Sequence, residues 1–540
     1  MGIYLNPGNE NFSAILTREI YIDKTMMLSV LNNFMATDNK YICVSRPRRF
    51  GKTFANNMLA AYYSKGCDSR ELFSKLKFYN DESFEKNLNK FNVIKLDINS
   101  EYRNATDKDY LITDITEIVR SEFIQQFPDI TFSERDSIAR CITKVYAARA
   151  EKFVILMDEY DVLVRENVSE SLFTQYLDLL NGLFKSDTVR PAIALAYLTG
   201  ILPIVRDKVQ SKLNNFEDYT ILSASDLTEF VGFTDDEVYN LCKTYNIDFE
   251  ECKKWYDGYH LSFIGAGKKK YYEVYNPESV IKTMRNMSFG NYWSKTSSYE
   301  VISDRLKANF HGLKDDVVKM ISGEKIDVDI GMYKNTMKDF VSKNDIYTYL
   351  MHLGYLAYDA EKMQCTIPNK EVRDEWLRAI SIDDDYAVTN NIIQASKELL
   401  SETLDGNEAL VAASLDESHI HVTSNRSYNN EYALQSAIYL SFIYALNKYT
   451  VIREMTTGKG FADVVYIPYK DDVPALIIEL KRNGSTESAL NQIKEKKYFD
   501  SLSHYSGNLL FVGINYDEKT KKHECKIEKF EKSNISEILP

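Results

Sequence analysis

The chain has 540 residues, 44% of them hydrophobic, enough to bury two or three cores in a multidomain enzyme. Its net charge of −13 argues against indiscriminate coating of nucleic acid, so such contact needs local basic patches, for example Lys494 to Lys497. Seven scattered cysteines with no C-x-x-C pair support neither a disulfide framework nor a zinc ribbon.

No apolar run approaches membrane length and the N-terminus has no charged-then-apolar leader, so the expectation is a cytoplasmic protein without a membrane partner. The 38 tyrosines are read as packing residues by default, with base stacking as the alternative.

In chain order, the stretch from about Tyr21 to Leu222 reads as an α/β domain. Its entry, Asp23-Lys24-Thr25, either lies against a nucleotide or caps a helix. Tyr41-Ile42-Cys43-Val44 is a short apolar strand followed by S-R-P-R-R-F-G-K-T, after which Phe54, Ala55, Met58, Leu59 and Tyr62 share one helical face. Strand, loop, helix is the context that a phosphate-binding loop requires. In that architecture the loop from Arg46 through Pro47, Arg48, Arg49, Phe50 and Gly51 cradles the β-phosphate with backbone N–H groups and the helix N-terminus. Lys52 then reaches the β- and γ-phosphates, and the Thr53 hydroxyl holds Mg²⁺. Arg46 stands where the first glycine is expected, so the loop must open without that residue's tolerance of positive φ. Pro47 is expected to stiffen it, and Arg46, Arg48 and Arg49 to make the approach cationic.

A phosphate loop also needs a carboxylate on a neighbouring strand. Phe153 to Met157 is a continuous apolar run, suited to a strand covered on both faces, and it ends in Asp158-Glu159-Tyr160-Asp161. Asp158 is expected to hold Mg²⁺, directly or through water, and Glu159 to orient or deprotonate a water for hydrolysis. Taken alone the run could be a buried strand ending in a solvated acidic turn; its pairing with G-K-T favours the nucleotide site. Val93–Asp97 and Ala192–Leu198 add strands, the latter ending at Thr199, whose hydroxyl can sense the γ-phosphate, and Tyr219–Leu222 offers another. These elements predict a P-loop NTPase domain with a doubly wound parallel sheet. No arginine finger is assigned: Arg206 follows Thr199, but a residue from another subunit serves equally well, which leaves a homo-oligomer open.

From Phe230 to about Glu398 the pattern is mostly helical, with a helix start at Asp235-Asp236-Glu237. W-Y-D-G-Y, Trp255 to Tyr259, carries a turn glycine and an aromatic cluster read as interdomain packing, with a ligand site as the alternative. Gly265 to Lys270 reads as an exposed hairpin or loop, and a polar segment around Ser401 to Ser427 leads into the last domain. The expected division is therefore a nucleotide-binding domain over 1–228, a helical middle or lid region over 229–398, and a C-terminal domain over 399–540.

In that last domain Glu431 opens a helical stripe with Leu434, Ile438 and Phe442, either as a metal-binding carboxylate or as a helix cap. Ala462–Ile467 and Ala475–Lys481 then read as a β-hairpin turning at Lys470-Asp471-Asp472. An unbulged hairpin pairs residues whose numbers sum to 942, which makes Asp463 and Glu479 cross-strand partners with Cβ atoms roughly 5 Å apart. Lys481 returns to the same face. Two adjacent carboxylates are stable as a dianion mainly around a hard divalent cation, and such a cation with an ammonium nearby is the minimum kit for phosphodiester cleavage. On spacing alone, an exposed hairpin with a solvated acid pair is an equal alternative. A basic-sided helix follows Gly484-Ser485, with Gln492 polar among apolar neighbours, and then the strand Asn508–Gly513.

The order helix, strand, acid-bearing strand, helix, strand, with G-F-A-D, I-I-E-L-K and Q-I-K-E-K-K-Y, resembles the PD-(D/E)XK nuclease core, a restriction-endonuclease-like α/β fold. Nearly the whole chain resembles bacterial AAA-ATPase-like proteins with a C-terminal PD-(D/E)XK domain. The carriers are Y-I-D-K-T, R-P-R-R-F-G-K-T, M-D-E-Y-D, L-T-G-I-L-P-I, L-N-N-F, W-Y-D-G-Y, Y-N-P and the nuclease motif. That resemblance implies ATP rather than GTP and makes Arg46 a family trait. The chain departs where Phe461 stands for the arginine of G-R-A-D, where Glu278 replaces an aromatic, and where His260 replaces a common arginine. The reading is an ATP-binding, ATP-hydrolysing domain coupled to a Mg²⁺-dependent nuclease acting on DNA or RNA. The rival is a nucleotide-switched regulatory ATPase whose nuclease-like domain only binds nucleic acid or a protein partner.

Overall fold

The structure is a computed structural model, and it describes all residues except 1, 36, 167, 205–212, 214, 224, 266–267, 294–301, 303, 306–309, 311, 322, 332–339, 383–386, 423–437, 439–440, 458–459, 469–472, 497–501, 503–504, 506 and 532–540. It divides into two compact units, one of Met1–Asp316 with Gly323–Glu375 and one of Val317–Ser322 with Trp376–Pro540. The break at Glu375 falls inside the segment that the sequence assigns to the middle region.

Five short strands build the main sheet of the first unit: β1 (Tyr41–Ser45), β2 (Asn92–Asp97), β3 (Phe153–Asp158), β4 (Ile193–Gly200) and β5 (Glu217–Tyr219). Their order is β2-β3-β4-β1-β5, with every pairing parallel. Alternate residues point to opposite faces, and here each face has its own core. Cys43, Ile155, Met157 and Leu198 join one cluster with the helices Leu111–Gln126, Ile138–Arg149 and Glu170–Phe184; Val44, Val154, Leu156 and Tyr197 join another with the helix Lys52–Tyr63. This is why the strands are apolar throughout rather than alternating, and the sheet is doubly wound as expected. β4 lies between β1 and β3, so the loop after β1 and the acids ending β3 open on the same edge with one strand between them.

Helices dominate the middle region, and the helix Asp235–Tyr245 begins at Thr234 with a capping box closed by Glu237. Two small antiparallel sheets accompany them: β6 (Phe233–Thr234), β7 (Tyr259–Gly265) and β8 (Lys268–Tyr275) in the order β6-β8-β7, and β9 (Ile326–Asp327), β10 (Ala357–Asp359) and β11 (Gln364–Thr366) in the order β10-β11-β9. The hairpin reading of Gly265 to Lys270 is therefore the correct one of the two. Gly258 makes the turn into β7 at φ +116°, and a Cβ there would meet the Pro368 carbonyl oxygen at 2.0 Å. The ring of Tyr259 packs edge-on to Phe50, centroids 5.6 Å apart, and its hydroxyl donates to the Gly354 carbonyl at 2.6 Å.

The second unit contains a mixed sheet of β12 (Tyr449–Thr457), β13 (Gly460–Pro468), β14 (Ala475–Arg482), β15 (Leu509–Asp517) and β16 (Lys522–Phe530), in chain order. Only β14 and β15 run parallel, joined by a crossover through the helix Thr486–Glu495. Its core includes Val465, Ile477, Leu490, Ile493 and Phe511. Among the described residues no helix is long and apolar enough to cross a membrane.

Candidate functional site

The loop after β1 opens without positive φ at Arg46, as the sequence requires of a residue with a Cβ. Left-handed backbone falls at Arg49, φ 70°, and at Gly51, φ 90°, rather than at Arg46. Arg46 is buried, 1% exposed, and its Nη1 donates to the carbonyls of Ser45 and Tyr219, each at 3.1 Å. The expectation that Arg46 adds to a cationic approach is corrected: its guanidinium ties the loop's root to β5, and burial lowers its pKa to about 10. Arg49 faces the site but is ion-paired to Glu278 at 3.1 Å, an acid also held by Lys282 at 2.9 Å.

Gly51 caps the helix Lys52–Tyr63. Lys52 is buried, its ammonium donating to the carbonyls of Arg46 and Pro47 at 2.9 Å each, and desolvation lowers its pKa. Thr53 is exposed at the first turn. Lys52, Thr53 and Glu159 line a cavity of about 340 Å³ together with Ile20, Tyr21 and Phe233. The cavity is thus lined by both charged and apolar side chains, the mixture a small-molecule site uses. Lys24 lines it too, tied to Glu237 at 2.6 Å; Asp23 accepts from the Thr25 amide at 2.9 Å in a local turn, and the helix Met27–Phe34 that follows has no side-chain cap, so the capping reading of that triplet is not met there.

Behind the loop, Asp158 accepts from the Thr199 hydroxyl, and Asn56 donates to that same hydroxyl at 2.8 Å. Asp158 and Thr199 are almost fully buried. Glu159 adopts φ 51°, and its carboxylate is ion-paired to Arg165 at 2.6 Å. Burial raises the Glu159 pKa against the opposing field of Lys52. Asn56 and Arg165 were not singled out by sequence reasoning; the signal available for Arg165 was its i,i+4 spacing from Asp161, while Asn56 carries none. Arg206 lies outside the described residues.

In the second unit β13 and β14 pair as Val464↔Ile478, Val465↔Ile477 and Tyr466↔Leu476, the register expected from a sum of 942. The described pairing stops one residue short of the acids. There the Asp463 carboxylate accepts the Leu480 amide at 2.8 Å, replacing a backbone partner with a side chain. The turn Lys470 to Asp472 and Glu431 lie outside the described residues.

Glu479 is 2% exposed. Its Oε1 accepts from Lys481 Nζ at 3.1 Å and from Gln492 Nε2, and Lys481 Nζ also donates to Gln492 Oε1 at 2.6 Å. Its Oε2 is buried and accepts no hydrogen bond from the described residues. Burial first, and then the Asp463 charge, push the Glu479 carboxyl up to about 7, with Lys481 opposing. Gln492 reaches this point because its helix presses onto β15 at Gly513, where a Cβ would meet the Thr486 carbonyl oxygen at 2.7 Å. Gly513 stands beside Glu479 in the parallel register. Two neighbouring carboxylates, one with an orphaned buried oxygen, form a donor set suited to a hard divalent cation. Of the expected basic patch, Lys494 is paired with Glu528 at 2.6 Å and Lys497 lies outside the described residues.

A five-stranded parallel sheet with a G-K-T loop and a facing acid pair, followed by a mixed sheet with a D…E-x-K cluster, defines a P-loop ATPase-like domain joined to a nuclease-like one. In accord with this, residues 7–210 match the family described as "Predicted AAA-ATPase" and residues 429–526 match the PD-(D/E)XK nuclease superfamily, so the chain carries one domain of each kind. A curated relative, an uncharacterized protein in the vnfD 5' region of Azotobacter chroococcum mcd 1, is 25% identical over 526 residues, covering 93% of each chain. Similar solved structures include the Aeropyrum pernix ORC2 protein, at 12% identity over 68% of this chain and 98% of that one with a TM-score of 0.31. AMPPCP-bound DnaA from Aquifex aeolicus aligns at 10% identity over 63% of this chain and 81% of that one with a TM-score of 0.19. At these TM-scores the two likenesses carry no inference.

Proposed function

We propose that the first unit binds and hydrolyses ATP and that the second cleaves phosphodiester bonds in nucleic acid with Mg²⁺. For the first unit, the support is a cavity lined by Lys52, Thr53 and Glu159 together with apolar side chains, at the helix N-terminus that follows β1. Lys52 would exchange its two carbonyl partners for phosphate oxygens, Thr53 and Asp158 would hold the Mg²⁺ that accompanies ATP, Thr199 would contact the terminal phosphate, and Glu159 would orient the attacking water. Arg48, Arg49 and the amides through Gly51 surround the phosphates.

The nuclease reading is carried by one observation above the others, the Oε2 of Glu479, which is buried beside Asp463 and accepts no hydrogen bond from the described residues. Asp463 and Glu479 would hold Mg²⁺, which when bound supplies an acidified water and neutralises phosphate charge. Lys481, steered by Gln492, directs its ammonium toward the same place and steadies the scissile phosphate. The protein is proposed to work in the cytoplasm on DNA or RNA.

Purified wild type, Lys52→Ala and Asp463→Ala, each assayed for ATP turnover and for DNA and RNA cleavage with Mg²⁺, test this reading. Lys52→Ala should abolish ATP turnover; Asp463→Ala should spare it and abolish cleavage. Loss of ATP turnover in Asp463→Ala, or cleavage at the wild-type rate in that variant, would contradict the two-site scheme.

A further inference from the structure

The acids that end β3 do not stand alone. Asp161, 1% exposed, accepts from the amides of Ile201 at 3.1 Å and Leu202 at 2.9 Å, both just beyond the Thr199 end of β4. The same oxygen, Oδ2, accepts from Arg165 Nε at 2.8 Å. Arg165 then extends Nη2 to Glu159 Oε2 at 2.6 Å. Its side chain is 9% exposed, so the guanidinium is inside the protein and held by two carboxylates at once. Gly200 allows this approach, since a Cβ there would lie 2.7 Å from Asp161 Oδ1.

Each link has a physical consequence. Glu159 leaves β3 in a left-handed conformation, and its flexible side chain lines the nucleotide cavity. Without a partner it would sample several rotamers, only some of which aim a carboxylate oxygen at a water beside a phosphate. Arg165 fixes one oxygen, Oε2. Asp161 fixes Arg165, and the backbone after Thr199 fixes Asp161. A planar guanidinium can bridge two carboxylates through different nitrogens, which an ammonium does not do with the same geometry.

We infer that Arg165 is a positioning residue for ATP hydrolysis: with Asp161 it forms a strut from the end of β4 to Glu159 and holds that carboxylate in the orientation that aligns the attacking water. The inference rests on the proposed role of Glu159. It assigns Arg165 no contact with the nucleotide, so its removal should leave ground-state binding alone and weaken only what forms in the transition state.

The test compares wild type, Arg165→Lys, Arg165→Met and Glu159→Gln in ATP turnover and in binding of AMPPNP and of ADP with aluminium fluoride. Arg165→Lys retains the buried positive charge and is the variant that decides if Arg165→Met fails to fold. For Arg165→Lys we expect kcat at least tenfold lower, KM for ATP and AMPPNP affinity within about threefold of wild type, and ADP–aluminium fluoride affinity reduced in step with kcat. Wild-type kcat in Arg165→Lys, or AMPPNP affinity falling as far as that for the transition-state analogue, would overturn the inference. If Glu159→Gln turns over ATP at the wild-type rate, the role of Glu159 itself fails; if Glu159→Gln is inactive while Arg165→Lys is normal, only the strut fails. Absence of turnover in wild type would overturn both.

Discussion

Replacing Glu479 with glutamine should make the cation-free second unit more stable at alkaline pH while destroying its affinity for Mg²⁺. Burial and Asp463 move the Glu479 carboxyl from 4.5 up to about 7. A carboxyl whose folded-state pKa lies above its unfolded value opposes folding increasingly as pH rises past the unfolded value, and the penalty is complete above the folded one. At about 1.4 kcal/mol per pH unit, the interval from 4.5 to about 7 corresponds to about 3 kcal/mol. Glutamine keeps the shape without the charge. In EDTA, wild type and Glu479→Gln should therefore unfold within about 0.5 kcal/mol of each other at pH 4.5 and diverge toward about 3 kcal/mol at pH 8, several degrees in melting temperature. Saturating Mg²⁺ at pH 8 should raise the melting temperature of wild type alone and narrow the gap. Calorimetric melts across pH, with and without Mg²⁺, provide the assay. A difference that does not change with pH, or equal stabilisation of both proteins by Mg²⁺, would mean that Glu479 is not the buried, cation-binding carboxyl.

Two further outcomes follow from particular contacts. Glu278→Gln frees Arg49 from its 3.1 Å ion pair, so ATP affinity should rise about two- to fivefold at low salt and the gain should fade at high salt, read by equilibrium binding of a fluorescent ATP analogue. Gly258→Ala forces a Cβ to 2.0 Å from the Pro368 carbonyl at φ +116°, and should cost the first unit at least about 2 kcal/mol in denaturant unfolding; an unchanged midpoint would contradict the turn geometry.

Much of this was legible because it depends on short-range rules. Apolar runs of five or six residues ending at Ser45 and Asp158 are buried on both faces of a parallel sheet, and a hairpin of fixed parity puts Val464 opposite Ile478. What stayed hidden depends on long-range packing. That Arg46 turns inward follows from the Tyr219 carbonyl, which only β5 delivers, 173 residues later. Left-handed backbone at Arg49 reflects the whole loop's path rather than the preference of one residue. Gln492 was visible as a polar residue among Ala489, Leu490 and Ile493, but its bonds to Glu479 and Lys481 depend on how closely the helix settles over Gly513. Arg165 lies four and six residues from Asp161 and Glu159, so its i,i+4 pairing was open to a sequence reading; what stayed hidden is the tie of Asp161 to the Ile201 and Leu202 amides beyond β4.

If Asp463 and Glu479 together hold a divalent cation, bound Mn²⁺ can be counted by electron paramagnetic resonance. In nucleotide-free protein at pH 8, wild type should bind one ion that Mg²⁺ displaces, and Asp463→Asn and Glu479→Gln should each lose it. Equal Mn²⁺ binding in all three proteins would contradict the account.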